Sequence, residues 1–546
     1  MTCHSERDVG APLGVPKKEG KEGTPRGAPT GSAMRIDRAT RPLALFCILL
    51  IVFLTACARK ETASKAAPVE KAKVSVNWEK VVTVSKTTPT LQVVVNPPLR
   101  RGTPIHDRVF QALHELGADY VRYVPWLPYP KLGVAELEPP SDGKTSWDFS
   151  LIDPMMEDLM NATAGHSVII NFSTIPQWMF KTEKPVAYPA DADQVNWDYE
   201  KGTEFRDASL KEVGDYYARL VSWYTQGGFT DEYGKRHESG HHYKIDYWEV
   251  LNEVDFEHEM SPETYTRVYD AIVSSIRHVE PQMKFVGVAL AGTSPNIFLR
   301  ENVPAYFEYF LNPKNHKPGI PMDMISYHFY AGPTADQSPK AQQYTFFDQA
   351  AGFLNSVRYL EAIRQRLSPK TQTDLDELGC IPDNDNAVPR KPIPDSYWNL
   401  CGAVYGYLYG ELSRFGIDVA GESQMVGYPS QFPGVSMVDW NTGQPNARYW
   451  VLKLLHDNFG PGDKLVDTTS GIPYVYAQGY VTRDGRRKLL LVNQRDRNFD
   501  LSMAGSSGAE VVYVDQTTGF QPPARSQLNA DQMTLRGLEV AVVTLQ

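Results

Sequence analysis

Eight times between residues 91 and 427 the chain repeats one rhythm: a short apolar run, a polar loop, then a stretch with helical spacing. The runs are Leu91–Asn96, Ala118–Val124, His166–Phe172, Tyr247–Glu253, Lys284–Leu290, Met322–Tyr330, Thr373–Gly379 and Asp418–Gly427. Ser167-Val168-Ile169-Ile170-Asn171-Phe172 is nearly continuous in apolar residues. A strand reads this way when helices cover both faces of its sheet, because neither face then meets water. The stretches between include Glu212–Trp223, Pro262–Val279, Phe347–Arg366 and Tyr397–Phe415. In the first of them Val213, Tyr216, Tyr217, Leu220 and Trp223 fall on one helix face. Eight such units predict an α/β fold, a (β/α)8 TIM barrel spanning residues 91–458. The competing architecture is a doubly wound open sheet. It would want a glycine-rich phosphate turn after the first strand, and Asn96-Pro97-Pro98 is a poor one.

From residue 459 the helical period disappears. Tyr474–Gln478, Lys488–Val492, Glu510–Val514 and Leu538–Leu545 alternate or are β-branched, with turn signals at Arg483-Asp484-Gly485 and Thr518-Gly519. This predicts a C-terminal antiparallel β-sandwich over 459–546. Segment 73–90 is strand-like over Lys73–Val84 and is a candidate to join it. The charge balance, 55 Lys and Arg against 65 Asp and Glu, gives −10 and argues against a nucleic-acid partner.

The first residues read as an address. Arg35, Arg38 and Arg41 precede the apolar run Leu43–Leu54, which ends in Leu54-Thr55-Ala56-Cys57. A basic region, a short apolar core and small residues form a secretory signal, and the apolar run is too short to span a bilayer comfortably. The ending resembles the bacterial lipobox, which implies that Cys57 is lipidated and becomes the new N-terminus. Residues 34–57 are then a lipoprotein signal peptide and 58–72 a tether. Residues 1–33 are an extension ahead of Met34, from a start placed too early or without fixed structure. The expected location is outside the cytoplasm, on a lipid anchor to a membrane. Ala58, where enteric bacteria use Asp for inner-membrane retention, points to the outer membrane. Beyond Cys57 only Cys380 and Cys401 remain; they are read as a disulfide pair or as two buried thiols.

Barrel chemistry sits at the C-terminal ends of the strands. Those ends offer Arg122, Trp178, Asn252-Glu253, His328 with Tyr330, Glu377, and Glu422. A carboxyl group at Glu253 suits protonation of a leaving group, and Glu377 offers a second carboxylate. Such a pair supports hydrolysis of a glycosidic bond, one group as acid and then base, the other as nucleophile. His328 and Tyr330 share a strand face by the two-residue period. Arg122 is placed to orient a carboxylate or pair with one. Trp126, Trp178 and Trp440 are candidate platforms for the apolar faces of sugar rings. Glu422 is read as a substrate contact, a rival nucleophile, or a structural ion pair.

The stretch Tyr247-Trp248-Glu249-Val250-Leu251-Asn252-Glu253 resembles the acid/base motif of clan A glycoside hydrolases, especially family 39, which contains β-xylosidases and α-L-iduronidases. Thr174-Ile175-Pro176-Gln177-Trp178-Met179, Ser326-Tyr327-His328-Phe329-Tyr330 and the C-terminal β domain resemble it too, so the likeness covers most of 75–546. It implies Glu253 as acid/base, Glu377 as nucleophile, Asn252 on the sugar 2-hydroxyl and Tyr330 on the nucleophile. It also implies a carbohydrate substrate and no metal or organic cofactor. The departure is at strand seven, where Asp376-Glu377-Leu378-Gly379 stands for the more usual Thr-Glu-Trp type of ending.

Two other readings compete. His237-Glu238-Ser239-Gly240-His241 matches the His-Glu-x-x-His pattern of zinc proteases. That chemistry needs a helix, and Gly240 with the adjoining strand leaves too little chain for one. A carbohydrate-binding lipoprotein without turnover is the second, against which both carboxylates stand.

Overall fold

The computed structural model describes residues 70–546, apart from 292–301, 335–336, 384, 387–388 and 390. The signal segment, Cys57 and the tether up to residue 69 lie outside the described residues. Among the described residues, eight parallel strands close into a barrel. They are Thr88–Val94, Val121–Val124, Val168–Ile170, Tyr247–Glu249, Lys284–Leu290, Met324–Ala331, Gln372–Cys380 and Val419–Glu422, called strands one to eight below. Strand one pairs with both strand two and strand eight, which completes the ring. Each strand is followed by a helix: His106–Leu116, Asp153–Ala162, Lys211–Thr225, Pro262–Val279, Asn302–Phe310, Pro339–Leu367, Asp395–Phe415 and Ala447–Asn458.

Strand alternation explains the barrel's interior. Ile169, Tyr247, Val286, Met324 and Val419 form one apolar cluster at its floor. Their neighbours Val168, Ile170 and Trp248 join the larger core instead. Two residues further along, Asn171 and Ser326 each donate a hydrogen bond to the Glu249 carboxylate. Strand six therefore climbs by twos from Met324 through Ser326 and His328 to Tyr330. An apolar floor thus gives way to a polar upper layer toward the strand ends.

Among the described residues the second domain is one hydrogen-bonded sheet of nine strands rather than two separate sheets. Its longest strand, Glu70–Val84, explains the continuity. Residues 70–74 pair parallel with Phe499–Met503, and residues 74–84 pair antiparallel with Lys464–Ser470 across two irregularities. Glu70-Lys71-Ala72, read from sequence as the end of the tether, are the start of this strand. In strand Arg487–Asn493, Leu490 and Val492 join the barrel-side core while Leu489 and Leu491 line the domain's own core. Val540 and Val542 divide from Ala541 and Val543 in the same way. Both faces are covered, so these strands lack the apolar–polar alternation of a half-exposed sheet.

The helix Asp395–Phe415 joins barrel and sheet through glycines four apart. A Cβ at Gly402 would lie 3.0 Å from Val451, at Gly406 3.3 Å from Val540, and at Gly410 2.4 Å from Tyr476. At Gly410 the helix backbone therefore approaches the sheet more closely than any side chain allows, and at Gly406 the fit is tight. Gly410→Val is expected to destabilise the protein by about 1–3 kcal/mol through overpacking, read as a lowered urea midpoint, with the wild-type circular dichroism spectrum retained.

Candidate active site

The backbone that carries Glu253 is bent by a device with no glycine in it. Strand four is regular only through Glu249, after which Leu251 and Glu253 take φ of 65° and 42°. Facing them, Val288 and Ala289 of strand five take φ of 82° and 44° where the register with strand six slips between Gly287 and Leu290. Such conformations cost of order 1–3 kcal/mol per residue and persist only where surroundings enforce them. Here Val250 N–H donates to Val286 O (3.0 Å) and Glu253 N–H to Ala289 O (2.9 Å). The Tyr265 hydroxyl accepts from Val288 N–H (2.8 Å) and donates to Val250 O (3.0 Å). So held, the Glu253 carboxyl lies 3.0 Å from His328 of strand six.

Arg122 is the hub beneath it. The side chain is 1% exposed, with Nε 2.5 Å from Glu249 and 3.0 Å from Asp376. One terminal nitrogen donates to Gln92 (2.6 Å) and Glu377 (2.7 Å), the other to Asn252 Oδ1 (2.6 Å). Glu377 Oε2 also accepts from the Tyr330 hydroxyl (2.6 Å), which lies 2.6 Å from Ser423 Oγ. His328 Nδ1 is 3.0 Å from Glu253 and 3.4 Å from Glu377. Glu253, His328 and Glu377 each bring one polar atom within 4.8 Å of the others. Among the described residues this is the only group of three with metal-ligand proximity, but Arg122 and Tyr330 already occupy both oxygens of Glu377.

The two carboxyl groups are biased in opposite directions. Burial pushes Glu253 above the usual carboxylate range, and the charge of Glu377 adds to it, against the His328 contact. Burial pushes Glu377 the same way, but His328, Arg122 and the Tyr330 hydroxyl outweigh it and hold that group below the range. His328 is raised: burial lowers it, and the carboxylates of Glu377 and Glu253 overcome the loss. Of the two, Glu253 therefore holds its proton the more tightly and Glu377 gives it up the more readily.

The structure joins Glu253, Glu377, Asn252, Arg122, His328 and Tyr330. Trp126 belongs to the next ring outward: its indole N–H donates to Glu257 (2.6 Å), which also accepts from Asn252 Nδ2 (2.9 Å). Trp197 and Phe432 pack about it, at ring separations of 5.3 and 6.2 Å. Trp178 is engaged elsewhere, donating to Glu136 O (2.8 Å) under the Arg206 guanidinium, 4.4 Å from its ring. Trp440 is half-buried against the main core. Glu422 is fully buried on Arg448 (2.8 Å), so of the three readings given it from sequence it takes that of a structural ion pair. Arg448 is in turn held by the carbonyls of Val435 and Ser423. Cys380 and Cys401 are free, buried thiols. The His-Glu-x-x-His copy lies on a hairpin strand and its loop, with His237 on Asp231 (2.8 Å) and His241 near Asp153 (3.4 Å). Sequence reasoning missed Gln92, Glu249, Asp376, Glu257 and Ser423. Polar residues inside otherwise apolar strands were the available signal for Gln92 and Glu249.

The closed (β/α)8 barrel thus holds two carboxyl groups of opposite bias side by side at its strand ends. Residues 65–365 match the family described as Glycosyl hydrolases family 39, and the chain belongs to that family. The fold is shared with the GH51 arabinofuranosidase from Xanthomonas axonopodis pv. citri (12% identity, TM-score 0.59, covering 87% of this chain and 100% of that one). It is shared also with a glucosidase from Croceicoccus marinus (14%, 0.56, 88% and 99%) and a GH30 endoxylanase from Clostridium papyrosolvens C71 (15%, 0.51, 87% and 100%). A comparison with curated proteins finds no match.

Tyr265→Phe would leave Val288 N–H and Val250 C=O buried without their partner. The expected cost is about 1–3 kcal/mol for each group left unsatisfied, read by urea unfolding, with a parallel drop in kcat as Glu253 loses its aim. Glu422→Ala is expected to cost about 3–5 kcal/mol by leaving Arg448 buried and unpaired, while the folded fraction keeps kcat within a few-fold of wild type.

Proposed function

We propose that this glycosidase is a retaining enzyme, β-xylosidase-like, that cleaves O-glycosidic bonds of oligo- or polysaccharides by double displacement. The observation that carries the reading is the pair of oppositely biased carboxyl groups with polar atoms within 4.8 Å. Retaining enzymes hold the two about 5–5.5 Å apart, whereas inverting enzymes leave room for a water between them. In the first step Glu377 attacks the anomeric carbon and Glu253 gives its proton to the departing oxygen. In the second, Glu253 takes a proton from water, whose oxygen displaces Glu377 from the sugar. The Glu253 side chain is 17% exposed and that of Glu377 9%, which suits the group that must meet leaving group and water. Asn252 Nδ2 has a second hydrogen beyond the one given to Glu257, available to the sugar 2-hydroxyl, and Trp126 stands beside it. Export and lipid anchoring at Cys57 belong to the same proposal, and [3H]palmitate incorporation lost in Cys57→Ser would support them.

Activity is expected to rise as Glu377 ionises, below the usual carboxylate range, and to fall as Glu253 loses its proton above that range. A bell-shaped kcat/KM profile on a mildly acidic to neutral optimum follows. The direct test is a panel of aryl glycosides (β-xyloside, α-arabinoside, β-glucoside, β-galactoside, α-iduronide, β-glucuronide) assayed with wild type and Glu377→Gly. Hydrolysis of β-xyloside, lost in the variant and restored by azide, is the expected result. Activity surviving in Glu377→Gly would remove Glu377 as nucleophile, and turnover of a uronide alone would replace the xylosidase reading.

A further inference from the structure

Five hydrogen bonds close on themselves beside the seam where strand eight meets strand one. Gln92 and Arg122 are register partners on strands one and two. One terminal nitrogen of Arg122 donates to Gln92 Oε1 (2.6 Å) and to Glu377 Oε1 (2.7 Å). Gln92 Nε2 donates to Ser423 Oγ (2.6 Å). That oxygen lies 2.6 Å from the Tyr330 hydroxyl, which donates to Glu377 Oε2 (2.6 Å). Gln92 and Ser423 are 1% and 0% exposed, so no solvent relieves a mismatched donor there. The backbone of Ser423 is tied to strand seven as well, its N–H donating to Leu378 O (2.9 Å).

The chemistry of these groups dictates where each hydrogen lies. A guanidinium only donates, so the Gln92 oxygen faces Arg122 and the amide N–H faces Ser423. Ser423 Oγ accepts that hydrogen, and its other partner among the described residues is the Tyr330 oxygen. A carboxylate only accepts, so the Tyr330 hydrogen goes to Glu377 and the Ser423 hydrogen goes to Tyr330. The double displacement proposed above, on which this inference rests, asks Glu377 to attack, carry the sugar as an ester and leave again. Oε2 is an acceptor in each of those states, so the order of hydrogens never has to reverse. We propose that Gln92 and Ser423 are positioning residues for Glu377: they commit the Tyr330 hydroxyl to Oε2 and so hold the carboxyl group between Tyr330 and Arg122 through both steps. They act through Tyr330 and Arg122, and no hydrogen of the circuit is transferred.

Gln92→Glu reverses one link with hardly any change of shape. Arg122 still pairs with one oxygen of the introduced carboxylate, but the other oxygen now needs the Ser423 hydrogen. Three successive contacts, from that carboxylate through Ser423 and Tyr330 to Glu377, then share two hydrogens. The contact between the two hydroxyl oxygens involves no charged group, so it is the one that opens. Tyr330 is then pushed from its place on Glu377. Removing the Ser423 hydroxyl removes the conflict and lets Tyr330 return.

The test compares Gln92→Glu, Ser423→Ala and the double variant on the aryl glycoside that wild type cleaves. The kcat/KM value is expected to fall about tenfold in Gln92→Glu and about threefold in Ser423→Ala, the scale of one hydrogen bond. The double variant is expected to recover to the Ser423→Ala level. A double variant as poor as Gln92→Glu, or poorer, would overturn the inference, because charge added beside Arg122 acts whether or not Ser423 has a hydroxyl. A second measurement needs no turnover: the NMR signal of Tyr330 Cζ in protein labelled with tyrosine carrying 13C there, assigned with Tyr330→Phe. It is expected to move in Gln92→Glu and to take the Ser423→Ala position in the double variant. A signal unmoved in Gln92→Glu rules the hydrogen order out. If no glycoside is cleaved, the double displacement fails while this signal still decides the order. Should Gln92→Glu not fold, Ser423→Ala is made in Tyr330→Phe, where no further loss is expected and an additive threefold loss would reduce Ser423 to a structural role.

Discussion

A guanidinium buried at 1% exposure has lost its water, and several kcal/mol per ion are at stake unless partners replace it. Arg122 is repaid by Glu249, Gln92, Asn252, Glu377 and Asp376. These come from strands one, four and seven and from the turn after strand four, so one cation ties half the barrel ring together. Arg keeps its charge at any working pH. The field under the two carboxyl groups is therefore permanent, and it sits beneath one of them. Glu377 touches the guanidinium directly and meets Tyr330 and His328 as well, whereas Glu253 meets His328. The opposite bias of two chemically identical groups follows from these differences in contact, with burial acting on both.

The same asymmetry depends on backbone that departs from regular strands in two places. One bulge, in strand five, meets the left-handed Leu251 and Glu253; the other, in strand seven, brings Asp376 and Glu377 inward together. Bulges are a usual way of re-aiming a side chain at a barrel rim. Each is held by something outside the strand, the Tyr265 hydroxyl in one case and the close approach of strand eight at Gly421 in the other.

These devices mark the limit of what the sequence discloses. Helix Pro262–Val279 has the bounds its apolar period predicts, because Ser261 caps one end and Arg277 and His278 suit the other. The eight strands and the positions of Glu253 and Glu377 at strand ends were legible for a similar reason, since period and order suffice. The left-handed turns at Leu251 and Glu253 were not, because neither residue is the glycine or asparagine that such a conformation favours. The inward turn of Asp376 was hidden too, as it contradicts the two-residue period on which strand reading rests. Glu422 sits at a strand end, and only Arg448, on the following helix, decides that it faces away from the reaction. Trp178 follows the same pattern, its ring claimed by Arg206 from a loop further along the chain.

The strand Glu70–Val84 belongs to a sheet whose other members all follow residue 463. As a ribosome delivers the chain, this strand emerges with no partner, and Val74 must wait for Ser470. At about 5–20 residues per second that wait is of order 20–80 s. Throughout it the segment is an open edge, the kind of surface that recruits other nascent chains. Glu70, Lys71, Lys73, Glu79 and Lys80 along it are the usual guard against such pairing. Among the described residues the barrel is thus enclosed between the first strand made and the last, and the second domain cannot be completed before the barrel has been synthesised.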